Sequence, residues 1–256
     1  MSAAERVNVL GVGISAVNIP LALDQVADWI ASRARAYVCF CTVNTVMECR
    51  RSEELRGILN RAGMVTPDGM PLVWLSRRRH SEVSRVYGPD FMLAELERSA
   101  GAGHRHFLYG GTGGVTTRLA ARMETRFPGV QIVGTLEPPF APLDQLCTRE
   151  AADAINASGA DVVWVGIGSP KQERWMAAMR PLLTAPVLLG VGAAFDFHSG
   201  SVRQAPPLVR RSGFEWLFRL ATQPGRLWRR YLVDNPWFLW ELALHGIGLH
   251  HTEITP

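Results

Sequence analysis

Between residues 37 and 192 the sequence changes its hydrophobic period again and again. Short β-branched or apolar runs occur at "YVCFCTV" (37–43), "GMVT" (63–66), "RHFLY" (105–109), "VQIVGTL" (130–136), "DVVWVGI" (161–167) and "PVLLGVG" (186–192). Between them lie stretches with apolar residues at helical spacing, at 44–62, 88–100, 115–127, 142–158 and 171–183. Strands separated by helices of this length run parallel, through right-handed crossovers, and are covered on both faces. The expected fold is therefore α/β: a Rossmann-like, mainly parallel sheet with helices on both faces. Ahead of it, "VNVLGVGISAVNI" and "PLALDQVADWIASRA" read as a hairpin or strand followed by a helix.

At 256 residues, the chain fits one large domain, or one domain with an appendage. Charge marks the boundary. From Arg203 to Arg230 seven arginines face one acid, Glu215, so this stretch carries +6 of a chain total of +4. Residues 1–200 are read as the core and 201–256 as a basic, aromatic helical appendage. The four cysteines, Cys39, Cys41, Cys49 and Cys147, fit neither a zinc site nor a disulfide framework, which points to a reducing cytoplasm. Cys39 and Cys41 lie on one strand face, as small core residues do. The N-terminus has no basic region followed by a long apolar run, so no signal peptide is expected. No run of 18 apolar residues occurs either.

In a parallel sheet of this kind, ligands bind outside the carboxyl ends of the strands. Polar residues just after a strand are therefore the site candidates. Thr42 and Asn44 follow the first central strand, and Asp68 the second. "GGTGG", with Gly110, Gly111 and Gly113, follows the third, and Glu137 the fourth. "GIGSPKQE", with Lys171 and Gln172, follows the fifth, and Asp196 and His198 the sixth. Glycine lets backbone N–H groups approach a phosphate, although "GGTGG" serves a plain tight turn equally well. Lys171 is the only lysine of the chain and sits in the first turn of its helix. A cation there opposes the helix dipole, so an anionic partner explains it better.

Asp68 is either a turn or N-cap aspartate or a functional carboxylate. In apolar surroundings its pKa would rise, as a general base requires. Asp196, at the sheet rim, is placed to accept the hydroxyls of a ribose. Arg85, in "SRVYGPD", suits a phosphate or an acid. No D-x-D occurs, and His104, His106 and His198 lack metal-ligand spacing, so no divalent metal is expected.

Five blocks carry a family resemblance: "TVNTVMECRRSEELRGILNRAGMVTPDGMPLVW", "RVYGPDF", "GIGSPKQERW", "GVGAAFDFHSGSVRQAP" and "GFEWLFRLATQPGRLWRRY". In this order they closely resemble the WecG/TagA/CpsF glycosyltransferases (glycosyltransferase family 26), over about residues 7 to 235. The resemblance implies a bacterial enzyme of cell-surface polysaccharide synthesis. It would move a sugar from a UDP-sugar to a polyprenyl-pyrophosphate-linked saccharide, peripherally on the cytoplasmic face of the membrane. N-acetylmannosamine, its uronic acid, glucose and glucuronic acid are the candidate sugars. Inversion and independence of divalent metal are implied as well, and no cofactor is expected beyond the UDP-sugar donor. The family's proposed catalytic base falls on Asp68, and its other catalytic positions on Thr42, Asn44, Arg85 and Gln172. The nucleotide contact falls on Asp196, beside the UDP-sugar candidates Gly110, Gly111, Gly113, Lys171 and Gln172.

The appendage suits the same picture. Phe214, Leu217, Phe218 and Ala221 form an apolar stripe, and Arg226, Arg229 and Arg230 share one face of a second helix. With Arg219, these arginines are candidates for lipid phosphate or the acceptor's pyrophosphate on an anionic membrane surface. The other reading of the same helices is packing on the sheet or a homo-oligomer interface. No nucleic acid partner is expected. Two further readings are weighed against this one. A nicotinamide-dependent oxidoreductase would want G-x-G-x-x-G after the first strand, which "GVGISA" fails at its third glycine. A non-catalytic binding module would not need Asp68, Asn44 and Gln172 together.

Overall fold

The computed structural model describes residues 4–206, 208–209, 215–222, 224–246 and 253–254; of Glu215, Arg219, Arg226 and Arg230 it describes only the backbone. Strands β1 (Arg6–Val9) and β2 (Val12–Ser15) form an antiparallel hairpin. Its two-residue turn puts both Leu10 and Gly11 at positive φ, as such hairpins require. Helix α1 (Ile19–Ser32) follows, capped by Asn18, whose side chain accepts from the Leu21 N–H at 3.0 Å.

The main sheet has six strands, all parallel: β3 (Ala36–Cys41), β4 (Met64–Pro67), β5 (Arg105–Gly110), β6 (Gln131–Leu136), β7 (Val162–Gly166) and β8 (Val187–Gly190). Their order across the sheet is β4-β3-β8-β7-β5-β6. The crossovers are α2 (Val43–Arg51), α3 (Glu53–Arg61), α4 (Met70–Arg77), α5 (Gly88–Ala102), α6 (Val115–Arg126), α7 (Arg149–Ala157) and α8 (Lys171–Met179). Alternate strand residues feed two apolar cores, one on each face of the sheet. Cys39, Cys41, Val163 and Val165 enter one core, and Val38, Phe40, Val162 and Trp164 the other. The shared face expected for Cys39 and Cys41 is thus observed, and all four cysteines are free.

Two helical expectations change in extent. Residues 44–62 are not one helix. Ser52 takes an extended conformation between α2 and α3, and its hydroxyl accepts from the Leu55 N–H at 3.2 Å, so a new helix starts there. The stretch 142–158 is helical only from Arg149. Thr148 caps it by accepting from the Ala151 N–H at 3.1 Å, and a single 3-10 turn, Leu143–Gln145, precedes it.

One topological fact positions the site. From β5 the chain steps outward to β6, whereas from β7 it steps the other way, to β8. The crossovers leave β5 and β7 in opposite directions, which opens a crevice between the carboxyl ends of these strands. Close approach there needs glycine. A Cβ on Gly110, at φ +136°, would stand 2.6 Å from the backbone of Gly166.

After β8 come α9 (Ala194–Ser199) and then three tail helices, α10 (Glu215–Thr222), α11 (Pro224–Leu232) and α12 (Asp234–Gly246). The last of these docks on α2. Arg50 pairs with Glu241 at 2.9 Å, Arg51 pairs with Asp234, and the Arg51 guanidinium lies 4.7 Å from the Trp237 ring. Phe238 is buried in the core. Among the described residues, no helix is long and apolar enough to cross a membrane.

Candidate active site

The six strand ends do line one rim, but their candidate residues divide between two cavities. The first, about 250 Å³, lies at the ends of β3 and β4 and is lined by Thr42, Asn44, Asp68 and Arg85 together with Met70, Pro71, Trp74 and Tyr87. The tail contributes Trp216, Tyr231 and Asn235. Thr42 is the N-cap of α2 in a capping box: its hydroxyl accepts from the Thr45 N–H at 3.3 Å, and the Thr45 hydroxyl accepts from the Thr42 N–H at 3.2 Å. This fixes Asn44 in the first turn of α2, on the cavity.

Asp68 stands where β4 gives way to α4. It is not the cap of that helix, whose N-cap is Gly69 with no side-chain hydrogen bond. Its N–H donates to the Cys41 carbonyl at 2.9 Å, which ties it to the end of β3. The carboxylate is 9% exposed as a residue and pairs with Arg85, Nη2 to Oδ1 at 3.2 Å; Arg85 Nε also donates to the Asp68 carbonyl. The expected apolar surroundings are thus interrupted by a cation, because the loop that carries Arg85 folds back over the end of β4. The guanidinium is itself held against the Tyr87 ring at 4.2 Å.

The second cavity, also about 250 Å³, occupies the crevice between β5 and β7. Gly111, Thr112, Gly166, Ile167, Gly168, Gly192 and Ala193 give it a backbone wall, and Lys171 and Asp196 supply its charges. Pro138, Pro139 and Phe140 form its mouth, with Phe140 95% exposed. Lys171 Nζ donates to the Ala141 carbonyl at 2.9 Å and lies 4.9 Å from the Phe140 ring.

Five candidates sit differently from expectation. Gly113 lines neither cavity, and Gly110 serves the close approach of two strands. The helix end behind "GGTGG" already holds an anion of its own, because the Glu137 carboxylate accepts from the N–H groups of Gly114 at 2.9 Å and Thr116 at 2.7 Å. Burial raises the Glu137 pKa, but these amides outweigh it and hold it below the usual range. A phosphate brought to the same amides would meet a like charge, so only Gly111 of the three glycines remains on a cavity wall. Gln172 is buried under the end of β8. Its Nε2 donates to the Gly190 carbonyl at 2.7 Å and to Glu173 at 3.2 Å, and it lines neither cavity. Glu173, which sequence reasoning passed over, is fully buried beside it, and burial raises its pKa. His198 is a core histidine, 2.9 Å from the Pro89 carbonyl.

Of the arginine candidates, Arg229 lies 5.7 Å from the Trp228 ring; the side chains of Arg219, Arg226 and Arg230, and all of Phe214, lie outside the described residues. Among the described residues, no three His, Cys, Asp or Glu side chains are grouped so as to hold a metal ion.

The model of the glycosyl transferase WecG/TagA/CpsF family matches residues 7–251. The chain belongs to that family. A relative from Bacillus spizizenii, an N-acetylglucosaminyldiphosphoundecaprenol N-acetyl-beta-D-mannosaminyltransferase, is 33% identical over 198 residues, covering 77% of this chain and 75% of the relative. The family match extends past the core through the tail helices, so α10 to α12 belong to the glycosyltransferase and are not a foreign addition. The residues that sequence reasoning missed are mostly aromatic: Trp74, Tyr87, Trp216 and Tyr231. For Trp74 a signal was present, since residues 70, 71 and 74 share one side of a helix.

Proposed function

We propose that this glycosyltransferase moves N-acetylmannosamine from its UDP derivative to a polyprenyl-diphosphate-linked N-acetylglucosamine, with inversion and without a divalent metal. The substrates follow the Bacillus spizizenii relative, whose name carries both sugars. One observation carries the assignment of roles: a carboxylate, a hydroxyl and an amide share a cavity beside a second, glycine-walled cavity at the reversal of strand order. In this reading the second cavity takes UDP, with Asp196 at the ribose and Lys171 at the diphosphate. Asp68 takes the proton of the acceptor hydroxyl as that oxygen attacks the anomeric carbon. The bond from that carbon to the diphosphate oxygen breaks, and UDP leaves with the electron pair. Lys171 and the backbone N–H groups near Gly168 and Gly192 offset its charge. Gln172 acts from below, by holding the end of β8 between the two cavities.

The tail brings the site to its lipid. Leu217, Trp228, Leu232, Leu239 and Trp240 are exposed on the three tail helices, and Val233 between the last two. With the arginines they suit an anionic bilayer surface on the inner face of the membrane, each arginine adding about 1 kcal/mol. Changing Arg226, Arg229 and Arg230 together to Glu is expected to abolish flotation with anionic liposomes and to spare UDP binding. Equal flotation of mutant and parent would place these arginines away from the bilayer.

The reading as a whole is tested by transfer. Incubated with UDP-N-acetylmannosamine and a short-chain prenyl diphosphate bearing N-acetylglucosamine, the protein should release UDP and disaccharide in equal amounts. The rate should survive excess EDTA. No product, or a rate abolished by EDTA and restored by Mn²⁺, contradicts it.

A further inference from the structure

Trp74 is 60% exposed on α4, although the same helix buries Leu72, Val73 and Ser76 completely. With Met70 and Pro71 it forms the side of α4 that lines the first cavity. The other rings of that cavity are engaged. Arg85 covers Tyr87, and Trp216 and Tyr231 lean on each other at 5.9 Å and 52°. Among the described residues nothing pairs with the Trp74 ring or its indole N–H.

A ligand lying on this indole shares its cavity with Asp68, Thr42 and Asn44. It must offer C–H groups to the ring and polar groups to the other residues. A pyranose has both, in a C–H face and a hydroxyl edge, whereas a prenyl chain has no polar edge. The sheet order then says which pyranose. α4 follows β4, the edge strand, and β3 stands between it and the strands that end at the second cavity. Trp74 is therefore on the outer side of the rim, away from the cavity assigned above to the nucleotide, and shares the cavity that this assignment leaves to the acceptor.

We propose that Trp74 is an acceptor-binding residue, whose indole stacks on the terminal sugar of the acceptor and directs its hydroxyl to Asp68. The assignment rests on the lipid-linked acceptor proposed above and adds the residue that reads its sugar. It separates recognition of the sugar from recognition of the diphosphate and the lipid.

Calorimetry with two probes tests it: a short-chain prenyl diphosphate bearing N-acetylglucosamine, and the same prenyl diphosphate without the sugar. Trp74→Ala should bind the sugar-bearing probe about tenfold or more weakly. It should bind the bare probe and UDP as the parent does, which also shows that it is folded. Trp74→Phe should recover most of the affinity. Equal weakening of both probes would assign the ring to the lipid chain and overturn the proposal. So would lost liposome flotation with both affinities intact, which would assign the ring to the bilayer, and so would no change at all. If the parent protein binds neither probe, the acceptor reading itself fails and takes this proposal with it.

Discussion

The first cavity is built of side chains and the second of backbone. Asp68, Arg85, Asn44 and four aromatic rings line the one, and seven residues from Gly111 to Ala193, four of them glycine, wall the other. The difference follows from the strands beneath. β3 and β4 lead into helices whose early residues, Val43 and Asn44 on one and Met70, Pro71 and Trp74 on the other, present side chains to the site. β5, β7 and β8 end in glycine because a Cβ has no room there: on Gly110 it would stand 2.6 Å from the Gly166 backbone, on Gly166 2.6 Å from the Phe195 ring, and on Gly190 2.6 Å from the Met176 methyl carbon. A cavity of side chains suits proton transfer, which needs a titratable group in place. A cavity of backbone suits a nucleotide diphosphate, which needs N–H groups and room. The tail also divides the two, since Trp216, Tyr231 and Asn235 line the first cavity and no described tail residue lines the second.

The strongest way to break this division is Asp68→Asn. Turnover should fall by about 10² to 10⁴, the range for loss of a general base, with the fold intact. Steady-state transfer at saturating donor measures it. Turnover near the parent value would remove Asp68 from the proton transfer and leave the first cavity without a chemical role.

A change outside both cavities sharpens the contrast, because it should alter stability and neither ligand. His106, at the start of β5, is fully buried, and its Nδ1 accepts from the Trp164 indole at 3.1 Å. Burial, with His104 adding to it, pushes its pKa down to about 3 from an ordinary 6.5. The folded value lies below the unfolded one. The stabilisation is therefore complete above about pH 6.5 and is lost as pH falls from there toward 3. At about 1.4 kcal/mol per pH unit, the loss by pH 4.5 is on the order of 3 kcal/mol. His106→Gln keeps an acceptor for the indole but does not titrate, so its urea midpoint should fall less between pH 7.5 and pH 4.5. An equal fall in both proteins would show that the acid sensitivity lies elsewhere, for instance in Asp161 and its arginines.

The alternation of periods made the sheet and its rim legible, because β-branched runs and amphipathic helices leave a direct trace in sequence. Asp68 and Thr42 were legible as strand-end polar residues for the same reason. Glu137 was not, since strand-end position marks a rim residue but does not say that its carboxylate turns back onto the N–H groups of Gly114 and Thr116. Gln172 shares that limit. The first turn of a helix faces the rim on one side and the sheet on the other, and Gln172 faces the sheet. The division into two cavities depends on the spatial order of the strands, which the sequence order of β3 to β8 does not contain. Trp216 and Tyr231 reach the first cavity from more than 140 residues along the chain after Asp68, a contact no local pattern encodes.

The division of labour between the cavities is tested most directly by the UDP affinities of Asp68→Asn and Asp196→Ala, measured by calorimetry beside the parent protein. The account predicts a loss of about tenfold for Asp196→Ala, the worth of a charge-assisted hydrogen bond to the ribose, and parental affinity for Asp68→Asn. An Asp68→Asn protein that loses UDP as Asp196→Ala does, or an Asp196→Ala protein that keeps it, would contradict the assignment of nucleotide to one cavity and proton transfer to the other.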